Sequence, residues 1–430
     1  MKRVFVILSI LLVGMVFMSF AQQITLTFMT GGNDQNVPTS VTMKLVQEYE
    51  KLNPGIKIDV TPVLYSTFNE KLSTMILSNS FPDIIDFTTA YVTKVDPYLL
   101  NLAPYLKEYY NLTPDEFRDQ IIPAMASLLG NNPNVINCIP ESTTGQAILI
   151  NKTMWEKAGI LPPPLNGQTT PWTWNQWESA LETVKKVNKL PYALSFLNSS
   201  DRLYGFITMW GVSYLNDNGQ FILDKTPHAT EAINSFLSLF SNKIIPPAEW
   251  LSGENTNMDF FSGITAAWWS GSWQITTVLK QEEATGRDYE FVYTPKIYDW
   301  FSVPGGAFIG ACKTGNKIKE EAAAKFLMWL STNKSQAYKE MAIDSGALPV
   351  YKGMTLNYNN DQVNKWINDV FAVELRLTPS WAMLSRTSNT YEELYDVNVK
   401  AVTSAIANNW DAEKVIRTIE DGYDKIVSGQ

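Results

Sequence analysis

Between Ile24 and Phe87 the hydrophobic period of the chain changes four times, and this alternation constrains the fold more than any other feature. Ile24 to Met29 reads as a strand followed by a turn at Gly31-Gly32-Asn33-Asp34. A helix comes next, with Val41, Leu45, Tyr49 and Leu52 on one face, stopped by Asn53-Pro54-Gly55. Ile56, Ile58 and Val60 alternate with Lys57 and Asp59 as a second strand, and Phe68, Leu72, Met75 and Ile76 return to helical spacing. Pro82-Asp83 then leads into a third strand, Ile84 to Phe87. Strand, helix, strand, helix, strand implies an α/β chain with a parallel sheet. Ligands of such sheets bind beyond the carboxyl ends of the strands, which singles out Asn33, Asp34, Tyr65 and the segment from Phe87 to Tyr91 with Thr88 and Thr89. Asn33 and Asp34 serve equally well as turn residues.

The first 21 residues carry Lys2 and Arg3, then an apolar run ending in Ser19-Phe20-Ala21. This pattern predicts a secretory signal peptide cleaved near Ala21, and hence a periplasmic or secreted, soluble protein. Removing Lys2 and Arg3 takes the formal charge from -9 to -11. An acidic surface disfavours nucleic acid and anionic lipid as partners. Cys138 and Cys312 are too far apart in sequence to make a disulfide scaffold, and free thiols are expected at both. His228 is the one histidine, so His/Cys metal spacing is absent and a Ser-His-Asp triad has little to build on. No phosphate-binding G-x-x-x-x-G-K-[ST] loop occurs, and neither a metal nor a cofactor is expected.

Ala266 to Trp273, A-A-W-W-S-G-S-W, places three indoles around Gly271. Tryptophan offers a large apolar face with one rim donor, which suits a pyranose ring, and Gly271 admits a close approach to the backbone. Trp268 and Trp269 read as core residues of a buried strand. Trp273 follows the turn-like Ser270-Gly271-Ser272, and its side chain is expected to face a cleft. Further on, Thr173 and Gln176 form a capping box, with Trp174 and Trp177 turned inward, and Pro162-Pro163-Pro164 reads as a stiff surface loop.

The order of short patterns resembles family 1 of the extracellular solute-binding proteins of ATP-binding-cassette importers, the maltose-binding-protein-like family. The matching pieces begin with Ile24 to Phe28 and its Gly-Gly turn, Tyr49-Glu50-Lys51-Leu52-Asn53-Pro54-Gly55, and Phe81-Pro82-Asp83-Ile84-Ile85. They continue with Leu149-Ile150-Asn151-Lys152, Pro171-Trp172-Thr173-Trp174, Ala266 to Trp273, Pro304-Gly305-Gly306-Ala307 and Ala322 to Leu327. The resemblance implies a two-lobed type II periplasmic-binding-protein fold with discontinuous lobes. It places lobe one at 22–138 plus 308–345, lobe two at 144–301 plus 350–430, and a hinge near 139–144, 302–307 and 346–350. It carries Trp273 over as the sugar-stacking aromatic. By the same resemblance Asn33, Asp34, Thr88, Thr89, Thr143, Thr144, Arg202, Tyr204, Gly305, Gly306, Trp381 and Arg386 join the site. Residue by residue, Tyr204 reads equally as core and Arg202 as a solvated surface residue.

The function this implies is capture of a neutral carbohydrate by closure of the two lobes, and its delivery to the membrane permease subunits of an importer, by a monomer with no catalytic residues. A second reading keeps the fold and changes the ligand to a glycerol phosphate or polyamine, for which only Arg202 or Arg386 offers a cleft cation. A third makes the chain a secreted glycoside hydrolase or a carbohydrate-binding module. The hydrolase needs two carboxylates across a scissile bond, and Asp83 and Asp86 lack convincing partners in the sequence.

Overall fold

A computed structural model describes residues 23–32, 41–130, 132–330, 332, 335–345, 347–388 and 390–429. The predicted alternation is present: β1 (Ile24–Gly32), α1 (Val41–Leu52), β2 (Ile56–Leu64), α2 (Tyr65–Ser78) and β3 (Ile84–Thr88). β1 pairs in parallel with β2 from Ile24↔Ile56 to Gly32↔Leu64, and with β3 at Phe28↔Ile84 and Met29↔Ile85. Two details differ from the sequence reading. Gly31 and Gly32 are the last residues of β1, held in the ladder by Val63 and Leu64, so the strand outlasts the expected turn. On α1 the buried face is Leu45, Val46 and Tyr49, while Leu52 in the terminal turn is 61% exposed.

The chain continues through β4 (Ile139–Thr144), β5 (Gln146–Asn151), α3 (Trp174–Asn188), β6 (Leu194–Phe196), α4 (Ser200–Thr208), α5 (Ala229–Ser241), β7 (Ala267–Gly271), β8 (Tyr289–Val292), β9 (Gly305–Ala311), α6 (Lys317–Leu330), α7 (Tyr391–Asn408) and α8 (Ala412–Ser428). Two sheets result, one in the order β2-β1-β3-β9-β4 and one in the order β6-β7-β5-β8. In the first sheet β9 runs antiparallel to both β3 and β4; in the second, β5 runs antiparallel to β7 and β8. The sheets are linked at one residue: β4 ends in the first at Thr144 and β5 begins in the second at Gln146.

Burial follows the expected patterns. Trp268 and Trp269 point to opposite faces of β7, Trp268 among Phe260 and Phe261, Trp269 beside Phe196 and Phe206. Both are buried, as alternation along a two-sided strand requires. Thr173 closes its capping box with Gln176, which turns Trp174 and Trp177 into the core. Ala323, Phe326, Leu327 and Leu330 of α6, and Val415, Ile416 and Ile419 of α8, are buried stripes. Cys138 and Cys312 are free and buried. The proline loop is less superficial than expected: Pro162 and Pro163 are buried, because the Tyr293 N–H donates to the Pro163 carbonyl at 3.3 Å and draws the loop in.

Candidate ligand-binding site

β7 ends at Gly271, and one 3-10 turn, Ser272–Gln274, swings Trp273 out of the core to 39% exposure. The turn is fastened to the link between the sheets. The Ser272 N–H donates to the Gly145 carbonyl at 3.0 Å, and the Gly145 N–H donates to Ser272 Oγ at 3.3 Å. A methyl group added at Gly271 would overlap both the Gly145 oxygen and the Trp273 ring, so the close approach expected of this glycine is real and its partners are now identified. The Arg202 guanidinium carbon, on the first turn of α4, lies 5.0 Å from the centroid of the Trp273 ring. That is cation–π distance, so the two predicted residues form one unit. Gln274 Oε1, next to Trp273, is buried with no hydrogen-bond partner among the described residues.

The second group of predicted residues gathers on the first sheet. Thr88 pairs with Ala307, Thr143 with Gly306 and Thr144 with Gly305, which places the end of β3 and the rims of β4 and β9 side by side. Thr143 Oγ1 donates to the Gly305 carbonyl at 3.1 Å. Gly306 has φ +151, and a methyl there would overlap the Ser142 carbonyl oxygen, so no side chain can cover this rim. Thr89 and Thr143 are buried, and Thr88 Oγ1 is a buried hydroxyl without a partner among the described residues. Two further strands of chain meet here. Leu348 exchanges backbone hydrogen bonds with Thr143 at 3.1 and 3.4 Å, and the Gln146 N–H donates to Ser302 Oγ at 2.6 Å. Both passages therefore reach the end of β4 or the start of β5.

Beneath the rim lies a carboxyl pair that the sequence did not reveal. Asp86 Oδ2 accepts the Thr30 hydroxyl at 3.0 Å, and its carboxyl faces that of Glu141. Burial, then the neighbouring Glu141, pushes Asp86 well above the usual carboxylate range; burial pushes Glu141 up to about 7. Glu141 reaches Asp86 from a register break in β4 between Pro140 and Ser142, and such bulges re-aim side chains. Carboxyls that hydrogen-bond to each other share a proton; they do not flank a glycosidic bond, which needs them about 5 Å or more apart. Asp83 is occupied otherwise, accepting from Thr27 N at 2.8 Å, Thr27 Oγ1 at 3.0 Å and Lys319 Nζ at 3.1 Å.

The remaining candidates divide. Of the two readings of Tyr204 the structure shows the core one: it is 2% exposed and its hydroxyl donates to the Ala382 carbonyl at 2.8 Å. Trp381 is partly buried, with its ring edge-on to Phe301 at 5.7 Å. Asn33 and Asp34 lie outside the described residues, as does the leader expected at 1–21. The backbones of Tyr65 and Arg386 are placed, at the start of α2 and in the 3-10 helix Ser380–Thr387, but their side chains are outside the description. No helix among the described residues is long and apolar enough to cross a membrane.

A family model described as bacterial extracellular solute-binding protein matches residues 33–337. The Escherichia coli K12 protein YcjN, provisionally named an ABC transporter periplasmic-binding protein, is 23% identical over 388 residues, covering 86% of this chain and 84% of its own. The arabinooligosaccharide-binding protein of Bacillus subtilis 168 is 23% identical over 214 residues, 48% of this chain and 46% of that protein. Among solved structures, the sugar-binding protein MalE of Xanthomonas citri superposes with a TM-score of 0.74 at 17% identity, covering 94% of this chain and 98% of its own. The ABC substrate-binding protein Lmo0181 of Listeria monocytogenes, solved with cycloalternan, gives 0.73 at 19% identity over 94% and 99%.

Proposed function

Because this chain belongs to the bacterial extracellular solute-binding proteins and has their type II two-lobed fold, we propose that it captures a neutral carbohydrate between its two sheets and presents it to the permease of an ABC importer. The observation that carries this reading is the Trp273–Arg202 pair, an exposed indole backed by a guanidinium and pinned to the link between the sheets. In this reading lobe one is built on the five-stranded sheet and lobe two on the four-stranded sheet, with 22–138 plus 308–345 in the first and 144–301 plus 350–430 in the second. The hinge consists of Gly145 with its flanks, the return at 302–307 and the Leu348 bridge to Thr143. A leader cleaved near Ala21 exports the chain, which acts as a monomer without nucleic-acid partners.

The division of labour follows from what a sugar loses on leaving water. Its hydroxyls need replacement hydrogen bonds, and its apolar face needs a flat partner. Trp273 supplies the face. Thr88, Thr144 and the open backbone of Gly305 and Gly306 supply small polar groups at close quarters. Closure buries the ligand from both sides and shifts the population toward the closed form in proportion to its tighter binding. The test is a thermal-shift and calorimetric screen of the chain from Gln22 against neutral mono-, di- and oligosaccharides, with glycerol phosphate and spermidine as rival ligands. One neutral sugar class should raise the melting temperature with concentration and contract the radius of gyration in solution scattering. A shift with glycerol phosphate or spermidine alone would replace the carbohydrate reading, and a bound sugar that leaves the scattering unchanged would remove closure.

A further inference from the structure

A second cavity lies outside the proposed cleft, at the opposite end of α4 from Arg202. Its volume is about 800 Å3, and it is lined by Trp174, Glu178, Trp210, Asp224, His228 and Glu231 among others. The helical rise alone puts the end of α4 about 9 Å from Arg202, and Trp210 is two residues further on. At its edge Tyr298 is 49% exposed, with its ring stacked on His228 at 3.9 Å and tilted against Trp210 at 5.9 Å.

Two observations set this cavity apart from an ordinary surface hollow. Trp210 is 6% exposed, yet its indole Nε1 has no acceptor among the described residues. A buried donor left without a partner costs stability that a ligand can restore. His228, the one histidine of the chain, has φ +65, a left-handed conformation that costs a non-glycine residue free energy. That backbone sets the imidazole flat on Tyr298 with Nδ1 3.0 Å from Glu231 Oε2, and the Tyr298 hydroxyl donates to the same oxygen at 3.3 Å.

We propose that this cavity is an accessory saccharide site, separate from the cleft, that takes a neutral pyranoside. The chemistry of the lining selects the class. Glu178, Asp224 and Glu231 face the space and no lysine or arginine is among its described lining residues, so an anion is repelled. An ammonium would satisfy the carboxylates but has no lone pair to accept the Trp210 N–H. A hydroxyl does both, accepting from the indole once the cavity wall shifts enough to uncover the buried Nε1 and donating to a carboxylate, and the ring that carries it can lie on the exposed aromatic edge. No cluster of His, Cys, Asp or Glu among the described residues is arranged to hold a metal ion, so the carboxylates are not a metal site.

The test uses the chain with its cleft weakened by Trp273→Ala and reads saturation-transfer NMR and calorimetry with maltose, cellobiose and arabinotriose as probes. Saturable binding in the millimolar range should persist in Trp273→Ala. Trp210→Phe in that background, which keeps an aromatic ring and deletes the donor, should weaken it about fivefold, and Tyr298→Ala, at an exposed position, should abolish it. The inference is overturned if no probe binds the Trp273→Ala protein, if residual binding ignores both substitutions, or if spermidine displaces the sugar. The cleft is read separately, as the tighter phase of the unaltered chain, which Trp273→Ala weakens and which Trp210→Phe and Tyr298→Ala leave where it is.

Discussion

The rims of the two sheets face the same link with opposite chemistry. On the first sheet the rim is small and polar, with Thr88, Thr144, Gly305 and Gly306 leaving backbone exposed where any larger residue would intrude. On the second it is large and flat, with Trp273 carrying Arg202 at 5.0 Å. Neither rim alone suits a sugar. A glycine and threonine edge cannot repay the desolvation of a pyranose face, and an indole cannot repay the loss of its hydroxyl bonds to water. In the proposed reading this asymmetry makes binding depend on bringing the rims together and so couples occupancy to closure.

The most damaging way to break this comparison is at the fastening of the second rim. Gly271→Ala would drive a methyl into the Gly145 oxygen and the Trp273 ring at once. It is expected to abolish the tight, cleft phase of sugar binding and to lower the melting temperature by several degrees, read by calorimetry and thermal melts together. Gly306→Ala supplies the contrast: at φ +151 it carries backbone strain of about 1 to 3 kcal/mol, yet it leaves the Trp273 platform standing, so weak binding should survive. Equal loss of binding in both would dissolve the distinction between the rims.

Trp273→Ala comes next. Removing the platform should cost about 2 to 3 kcal/mol of affinity, roughly 30- to 160-fold, with little change in the melt because the ring is 39% exposed and outside the core. Near-normal affinity in calorimetry would take Trp273 out of the site.

The two halves also differ in where they bury acid. Glu141 lies beneath the first rim, pushed up to about 7 by burial; Glu249 and Glu374 belong with the second sheet, each pushed up to about 8 by burial. Glu374 receives the Thr294 N–H at 2.7 Å and the Thr294 hydroxyl at 3.2 Å, and Glu249 receives the Phe196 N–H at 2.7 Å. In each case the folded form keeps a proton that the unfolded chain releases near pH 4.5, so stability is greatest below that pH as far as these groups are concerned. It falls as pH rises through about 7 for Glu141 and about 8 for the other two. Melting temperatures should accordingly decline from about pH 4.5 and level off, for these groups, above about pH 8. Glu374→Gln, which mimics the protonated form, should reduce the slope all the way to about pH 8, and Glu141→Gln only below about pH 7. A slope left unchanged by both would place the titration elsewhere.

Much of the fold was legible because it rests on local periodicity. The three parallel strands, the capping box at Thr173 and the inward turn of Trp174 and Trp177 depend on residues within a few positions of one another. The exit of Trp273 was legible for the same reason, since Ser270-Gly271-Ser272 announces the turn. What the residues by themselves left hidden depends on pairing between distant segments. The Asp86–Glu141 pair exists only because β4 breaks register beside β9, and nothing in Pro140-Glu141-Ser142 signals the break. Gly145 looks like any glycine until β7 is laid beside it. Tyr204 was readable both as site and as core, and the hydrogen bond to the Ala382 carbonyl that holds it in the core is again between distant segments.

The smallest expected effect tests whether the halves attract each other directly. Lys94, just past β3, lies with Nζ 3.6 Å from Glu393 Oε1 on α7, a helix that packs against α4 in the second half. The pair is partly exposed, and such ion pairs contribute about 1 kcal/mol or less. If it only assists closure, Glu393→Gln should weaken every ligand alike by less than about fivefold, and the difference should vanish at high salt, where exposed charges are screened. Double-mutant calorimetry with Lys94→Gln should then show no further loss once either partner is gone. A larger loss confined to one sugar, or one that persists in salt, would mean that Glu393 meets the ligand itself, and the polar half of the site would extend from the threonine rim onto α7.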